Sequence, residues 1–347
     1  LKDWTCPRFV LSIFSHRFCI RIFHCVLHRI LHRILQLCFT ATGTFCLKLL
    51  LIFSNRLLYQ LRSDTRMAKL LPYSGDYYLW KYVPSIAGAV IFILLFICTT
   101  ALNGWKTWKN KTWFCIPLVI GCFMEFVGYA ARASAAGKTN SLMTFSIQSS
   151  WILIAPTLFA ASIYMCFGRL VRHLHAESYS IISAKWLTKT FVLGDVLSFL
   201  IQGGAAGMLI IQNLATVGKA MVILGLVIQV LSFGLFMVTA VIFHRRLVAN
   251  MTKRVERDVD WLGVMRMLYA VSGLIMIRSI FRLVEYGEGM DGYLMSHEWT
   301  AYLFDAVPMI AVTGIYFFKF PAQLRVGVET AGEYDGERLT VISVPGK

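Results

Sequence analysis

The sequence predicts an all-α membrane protein, a bundle of seven transmembrane helices with its N terminus outside and its C terminus in the cytosol. Of the 347 residues, 57% are hydrophobic and 15% are charged, and the mean hydropathy of +0.65 is too high for a soluble domain of this length. Long apolar runs recur after Met67, and basic residues gather in alternate loops. These three observations together favour a multi-pass protein.

The apolar runs each approach the roughly 20 residues that a helix needs to cross a hydrocarbon layer about 30 Å thick. Helices are expected because lipid offers backbone polar groups no partner, and a barrel would show short alternating strands instead. Residues 67–322 are therefore predicted to form one transmembrane domain. We place the spans near 83–102, 113–133, 143–168, 188–211, 219–243, 261–284 and 299–319.

Loop charge sets the predicted orientation. The first, third and fifth loops are basic, whereas the remaining loops hold little more than Lys138 and Lys219, and the sixth loop is acidic. Because cytosolic loops carry the excess of Lys and Arg, the odd loops and a cytosolic tail at 323–347 are placed inside. The basic loop residues are Lys106, Lys109, Lys111, Arg169, Arg172, Lys185, Arg245, Arg246, Lys253, Arg254 and Arg257.

Residues 1–66 form a separate basic segment, with ten Lys or Arg residues against two acidic ones. Because the first methionine is Met67, we expect this segment to be an extension that the native protein lacks. A disordered or interfacial segment, or an eighth span near 37–53, are the alternatives. No signal-peptide order of basic, apolar and cleavage regions is seen.

Composition and motifs exclude several classes of function. The formal net charge of +16 is interpreted as topology and contact with anionic lipid, not nucleic-acid binding, since no recognition module is present. No metal or cofactor is expected, because no CxxC pair or intramembrane histidine cluster occurs. No nucleophile and base converge, so an enzyme is not expected. The expected partners are membrane lipids and amphipathic small molecules.

Polar residues inside the spans are the candidate functional residues. A charge in hydrocarbon costs about 2.5–3.5 kcal/mol on insertion scales, so such charges face a partner, a cavity or a pathway. On the second span, Glu125, Tyr129 and Arg132 lie at i, i+4 and i+7, on one helical face. A substrate path and a purely structural role are both open. The two charges are too far apart to pair directly, so partners on other helices are expected.

The third span carries Gln148 and, in its middle, Pro156. Proline frees a backbone carbonyl and bends a helix, which predicts a cavity or a hinge. The alternative is that the small residues around it simply allow tight packing. The fourth span carries Asp195 and Gln202, seven residues apart. A buried Asp is suited to a cationic group or a proton, and the spacing from Gly203 to Gly207 after it predicts a close backbone contact between helices.

The sixth and seventh spans carry the densest charge. Arg278 and Arg282 lie one turn apart, followed by Glu285, and this pair suits the binding of an anion. The alternative is that these side chains extend towards the outer interface. On the seventh span, Asp305 precedes Pro308, a second hinge candidate. We expect Asp305 to pair with Arg278.

These residues form an ordered series that resembles one fungal family, the lipid-translocating exporters, which are aminocholesterol-resistance or sphingoid long-chain-base exporter-like seven-span proteins. The resemblance covers about 82–321. It includes Tyr82-Val83-Pro84-Ser85, Glu125 with Gly128-Tyr129 and Arg132, Gln148 with Ala155-Pro156 and Ala161-Ser162-Ile163-Tyr164, Asp195 with Gln202, Ile277-Arg278 with Phe281-Arg282, Glu285 with Gly289, Glu298 with Tyr302, and Asp305 with Pro308-Met309.

The resemblance implies a protein that moves amphipathic molecules, such as sphingoid bases or sterol-like amines, or gives resistance to them. It supplies no catalytic residues. Phe320-Pro321-Ala322 stands where a His-Pro-Gly-like ending is expected, which leaves the subfamily open. The alternative function is a heptahelical sensor or receptor that regulates lipid or stress responses without transport. The plasma membrane is the expected location, with an internal membrane as the alternative.

Overall fold

The computed structural model describes residues 80, 82–137, 139–174, 176–180, 184–208, 214–250, 260–289, 292–322 and 324. The basic segment predicted at 1–66 lies outside the described residues. So does the predicted tail at 323–347, apart from Leu324, and so does the part of the fifth loop at 251–259.

The described residues form seven long helices and no strand, which confirms the all-α prediction. Their bounds are α1 (Ile86–Lys109), α2 (Ile116–Ala135), α3 (Leu142–His173), α4 (Ala184–Met208), α5 (Ala215–Ala249), α6 (Trp261–Glu288) and α7 (Glu298–Phe318). Short helical turns lie at Trp113–Cys115, Glu177–Tyr179 and Tyr293–Ser296. The first part of α7 includes one π-helical stretch, Tyr302–Ala306.

Local sequence explains where several of these helices begin and end. The side chain of Ser85 caps α1, that of Ser141 caps α3, and that of Asp260 caps α6, where it accepts a hydrogen bond from the Gly263 amide at 2.9 Å. Such caps satisfy amide groups that have no partner within the helix. Gly289 ends α6 with φ of 87°, a conformation that glycine adopts without strain.

The chain is a multi-pass membrane protein. Among the described residues, α1, α2 with its preceding turn, α3, α5, α6 and α7 are each long and apolar enough to cross a bilayer. The fourth predicted span is the helix α4, whose predicted end at 209–211 is not described. Leucines such as Leu193 and Leu200 are exposed on α4, whereas its polar Asp195 and Gln202 are buried. This arrangement, with apolar side chains outside and polar side chains inside, is the reverse of that in a water-soluble protein and suits a lipid environment.

The helices close into a ring, because each packs against the next in the chain and α7 returns to α1, while α3 also contacts α6 across the interior. Helices α2 and α3 approach closely at two glycines. A Cβ at Gly121 would lie 2.6 Å from the Phe159 ring, and one at Gly128 would lie 2.6 Å from Ile152. The predicted close contact at Gly203 is wrong, because this residue lies on an exposed side of α4 with nothing within 4 Å of its Cβ position.

Candidate functional site

Two helices carry matching rows of polar residues that meet inside the ring. On α2 the row is Glu125, Tyr129 and Arg132, and α7 has the same i, i+4, i+7 spacing. The α7 row consists of Glu298, Tyr302 and Asp305. The two rows run in opposite directions, so the C-terminal end of α2 lies beside the N-terminal end of α7. The polar and aromatic residues that meet there lie at three levels along the helices.

The first level is an ion pair that joins three helix ends. Arg132 Nη2 lies 3.0 Å from Glu298 Oε1 and donates to the Tyr82 hydroxyl at 2.8 Å, while its Nε donates to the Tyr302 hydroxyl at 3.2 Å. Both oxygens of Glu298 accept from the Ser85 amide, at 2.8 and 3.0 Å. We call this group the Arg132–Glu298 lock. The expectation that Arg132 finds its partner on another helix is confirmed.

The second level is an aromatic layer. The Tyr129 ring stacks on Phe96, with ring centroids 5.6 Å apart, and on Tyr302 at 6.2 Å. Tyr302 in turn stacks on Phe92 at 5.2 Å. Tyr129 is buried, and these contacts place it in the packing between the other two levels.

The third level is a set of five charged residues, four of them buried and Arg282 partly exposed, which we call the charge cluster. It comprises Glu125, Arg278, Arg282, Glu285 and Asp305. Arg278 Nε makes an ion pair with one oxygen of Asp305, and Arg282 Nη2 donates to the other. Arg282 Nη1 donates to Glu285 Oε2 at 3.0 Å. The expected Arg278–Asp305 pair is present, and Arg282 and Glu285 turn inward instead of reaching the interface.

Arg278 also satisfies a backbone group that Pro156 leaves unpaired. In an α-helix the carbonyl of Ile152 would accept from the amide four residues later, but residue 156 is a proline and has no N–H. Arg278 Nη2 donates to this carbonyl at 2.7 Å. Helix α3 continues through Pro156, so one arginine of α6 links the proline site of α3 to Asp305 of α7. The hinge role of Pro156 stays a prediction.

Asp305 lies within the π-helical stretch of α7, three residues before Pro308. The Val307 amide bonds to the Tyr302 carbonyl, five residues back instead of four. An extra residue in one turn rotates the following side chains, and such turns are frequent at functional sites. This local geometry brings the Asp305 carboxylate between the two arginines, while the hinge role of Pro308 stays a prediction.

Glu125 differs from the other acids of the charge cluster. It is 1% exposed, and neither carboxylate oxygen has a hydrogen-bond partner among the described residues. Arg278, Asp305 and Arg282 are the charged groups whose fields act on it. Both arginines already bind Asp305, so three acids share two bases. With every group ionised, the charge cluster is one positive charge short.

A second polar group lies between α3, α4 and α5. One oxygen of Asp195 accepts from the Tyr164 hydroxyl at 2.9 Å, and the other has no hydrogen-bond partner in the described part of the chain. Gln202 Nε2 donates to Ser198 Oγ at 2.8 Å and lies 3.5 Å from Gln229 Oε1. No ion pair between described residues links this group to the charge cluster.

Some of these residues were not predicted from the sequence. Glu298, Tyr302 and Tyr164 make contacts that the sequence did not predict. The repeat of the α2 spacing on α7 was the available signal. The predicted site residue Gln148 is buried, and its side-chain oxygen has no hydrogen-bond partner among the described residues. Within the described residues no three His, Cys, Asp or Glu side chains are placed to hold a metal.

Comparison with known proteins identifies the family of this chain. The family described as RTA1 like protein matches residues 118–326. Protein RTM1 of Saccharomyces cerevisiae is 41% identical over 283 residues, which cover 70% of this chain and 91% of that protein. Protoporphyrin uptake protein 1 of the same species is 34% identical over 277 residues, covering 69% and 90%.

A more distant relative is the sphingoid long-chain base transporter RSB1 of Saccharomyces cerevisiae, 23% identical over 270 residues that cover 67% of this chain and 70% of that protein. No solved structure matches the chain. The extent of the family match, together with the similarity to RTM1 over most of its length, is decisive. The chain belongs to the RTA1-like family of fungal lipid-translocating exporters.

Proposed function

We propose that this protein is a seven-span exporter of amphipathic amines, in which α4 crosses the membrane as the other six long helices do. Its N terminus is outside and its C terminus is in the cytosol. The observation that carries the proposal is Glu125, a carboxylate that is buried at mid-helix and has no hydrogen-bond partner among the described residues. A buried charge is costly unless it is paired. An ammonium headgroup supplies the missing positive charge.

The contacts of Arg278 and Arg282 favour a role in holding the helices together over a role in binding an anionic ligand. Arg278 and Arg282 are both engaged by Asp305, and Arg278 also binds the Ile152 carbonyl. An anionic ligand would have to displace these contacts, so we assign the arginines to holding the interior. The cationic end of a substrate then meets Glu125, while its apolar chain stays in lipid or against the aromatic layer.

The chemical class of the substrate follows from two independent considerations. A relative is named as a transporter of sphingoid long-chain bases, which are amphipathic amines, and the charge cluster needs a cation. Asp195, one oxygen of which has no hydrogen-bond partner among the residues described, is a second position for an amine along a path between α3, α4 and α5. No residue is assigned a catalytic role, and the proposed activity is movement without chemical change.

The test is transport by purified protein in lipid vesicles. A labelled sphingoid base is expected to cross faster than in protein-free vesicles, and Glu125→Gln is expected to reduce the protein-dependent rate at least tenfold. Glu177→Gln is the matched control, because Glu177 lies exposed in the short turn Glu177–Tyr179. Its rate should equal that of the unaltered protein.

The same assay separates transport from the sensor alternative. A heptahelical sensor binds lipid but does not move it, so its vesicles would show the protein-free rate. If correctly folded protein gives that rate with every amine tried, the exporter proposal is wrong. If the unaltered protein transports and Glu125→Gln transports equally well, Glu125 is not the site.

A further inference from the structure

The positive and negative charges of the charge cluster must balance both in the empty protein and in the substrate-bound protein. Its members carry three negative and two positive charges when all are ionised. An uncompensated charge in a low-dielectric interior costs several kcal/mol. The empty protein must therefore hold one further positive charge, and a proton is the smallest candidate.

The position of that proton follows from the contacts of the three acids. Asp305 is bound by two guanidinium groups, and Glu285 accepts a charge-assisted hydrogen bond from Arg282. A proton on either acid would disrupt a charge-assisted contact with an arginine. Glu125 accepts no hydrogen bond from a described residue, so protonating it disrupts the fewest contacts.

The titratable and charged groups that act on Glu125 in the described part of the chain come from three helices. Its own helix contributes the Cys122 thiol and the Tyr129 phenol, α6 contributes Arg278 and Arg282, and α7 contributes Asp305. Helices α1 and α3 pack against α2, but their charged side chains lie near their C-terminal ends. The titration of Glu125 is thus governed by burial and by the partly compensated Arg278–Arg282–Asp305 group.

We propose that Glu125 exchanges a proton for the substrate amine. In the empty protein Glu125 is a neutral carboxylic acid. When R–NH₃⁺ enters, the O–H bond of Glu125 breaks, the proton leaves to water, and the carboxylate binds the ammonium group. One positive charge enters and one leaves, so the charge cluster is neutral in both states. The exchange couples amine movement to a proton gradient in the opposite direction.

This inference deepens the proposed function and rests on it, and it makes a quantitative prediction about binding. If one proton is released per amine bound, the affinity rises about tenfold for each unit of pH while Glu125 remains mostly protonated. The amine itself contributes nothing to this slope below about pH 8, because an alkyl ammonium group loses its proton near pH 10.

The experiment is calorimetric titration of the full-length protein in detergent with sphingosine. Titration in two buffers of different ionisation enthalpy gives the number of protons released per amine. We expect about one for the unaltered protein and for the exposed control Glu177→Gln, and none for Glu125→Gln. Release that persists in Glu125→Gln, or binding without release in the unaltered protein, would overturn the inference.

A second readout does not depend on binding. The infrared carbonyl stretch of a protonated carboxylic acid is expected in the empty protein and absent in Glu125→Gln, and it should fade when sphingosine is added. An empty protein without this band contradicts the inference even if the variant is unstable. If no amine binds while the band is present, the proposed function fails but the proton site stands.

Discussion

At the scale of single residues, Glu125 and Asp305 are acids of one cluster with opposite surroundings. Asp305 lies between two arginines, whereas Glu125 has no hydrogen-bond partner among the described residues. Replacing an acid with its isosteric amide therefore has different consequences at the two positions. It leaves the buried Arg278 and the partly buried Arg282 without their anionic partner in one case, and it removes no hydrogen bond between described residues in the other.

We expect Asp305→Asn to destabilise the protein by about 3–5 kcal/mol, the usual cost of leaving a buried ionic partner unpaired. Glu125→Gln should leave stability unchanged within about 0.5 kcal/mol. Thermal unfolding of the two variants in detergent, alongside the unaltered protein, measures both effects. Equal losses for the two variants would show that Glu125 has a structural partner.

The sequence identified the candidate site residues, but it predicted only some of the contacts that they make. The cost of intramembrane charge singled out Glu125, Arg278 and Asp305, and the Arg278–Asp305 pair was expected. The pairing of Arg132 with Glu298 was not, because it depends on how α2 and α7 align. Sequence spacing fixes which side chains share a helix face but not which levels of two helices meet.

At the scale of helices, Pro156 and Arg278 act as one unit. The proline removes the amide that would bond the Ile152 carbonyl, and Arg278 donates to this carbonyl instead. Pro156→Ala restores the amide, so the carbonyl no longer depends on Arg278. Proline thus explains why an arginine reaches α3 from α6, a link that composition alone did not reveal.

We expect the destabilisation by Arg278→Gln to shrink by about 1–3 kcal/mol when Pro156→Ala is also present, since an unsatisfied buried carbonyl costs that much. Unfolding free energies of the two single variants and the double variant, measured in mixed micelles, give the coupling. Additive effects within about 0.5 kcal/mol would mean that the two residues are independent.

Helix contacts between α2 and α3 depend on Gly128. A Cβ there would lie 2.6 Å from Ile152, the residue whose carbonyl binds Arg278, so Gly128→Ala should destabilise by about 1–3 kcal/mol through overpacking. Gly203→Ala is the matched control, because a Cβ added at this position would meet nothing within 4 Å and alanine favours a helix. Melting temperatures should fall for the first variant and hold or rise for the second.

At the scale of the whole molecule, the seven described helices form a ring whose largely hydrophobic core also buries polar and charged side chains, while apolar side chains cover much of the exterior. All seven apolar runs predicted from the sequence are helical in the parts that the structure describes, since hydropathy over about 20 residues is a strong signal. Boundaries were less predictable. Helix α5 extends to Ala249, beyond the predicted end near 243, because polar and basic residues continue a helix past the hydrocarbon.

Orientation is tested by labelling intact cells with a membrane-impermeant maleimide. The positive-inside rule places Glu288, at the end of α6, outside and Glu177, between α3 and α4, in the cytosol. Glu288→Cys should therefore gain label over the parent protein, and Glu177→Cys should gain it only after permeabilisation. The reverse result would invert the topology and the direction of export.

The central claim is that the interior lacks one positive charge, which an amphipathic amine supplies at Glu125. Its most direct test compares the affinity of the purified protein for a long-chain amine and for the alcohol of the same chain length. The amine should bind at least tenfold more tightly to the unaltered protein, and Glu125→Gln should abolish this preference. Equal affinities for amine and alcohol in the unaltered protein would contradict the account.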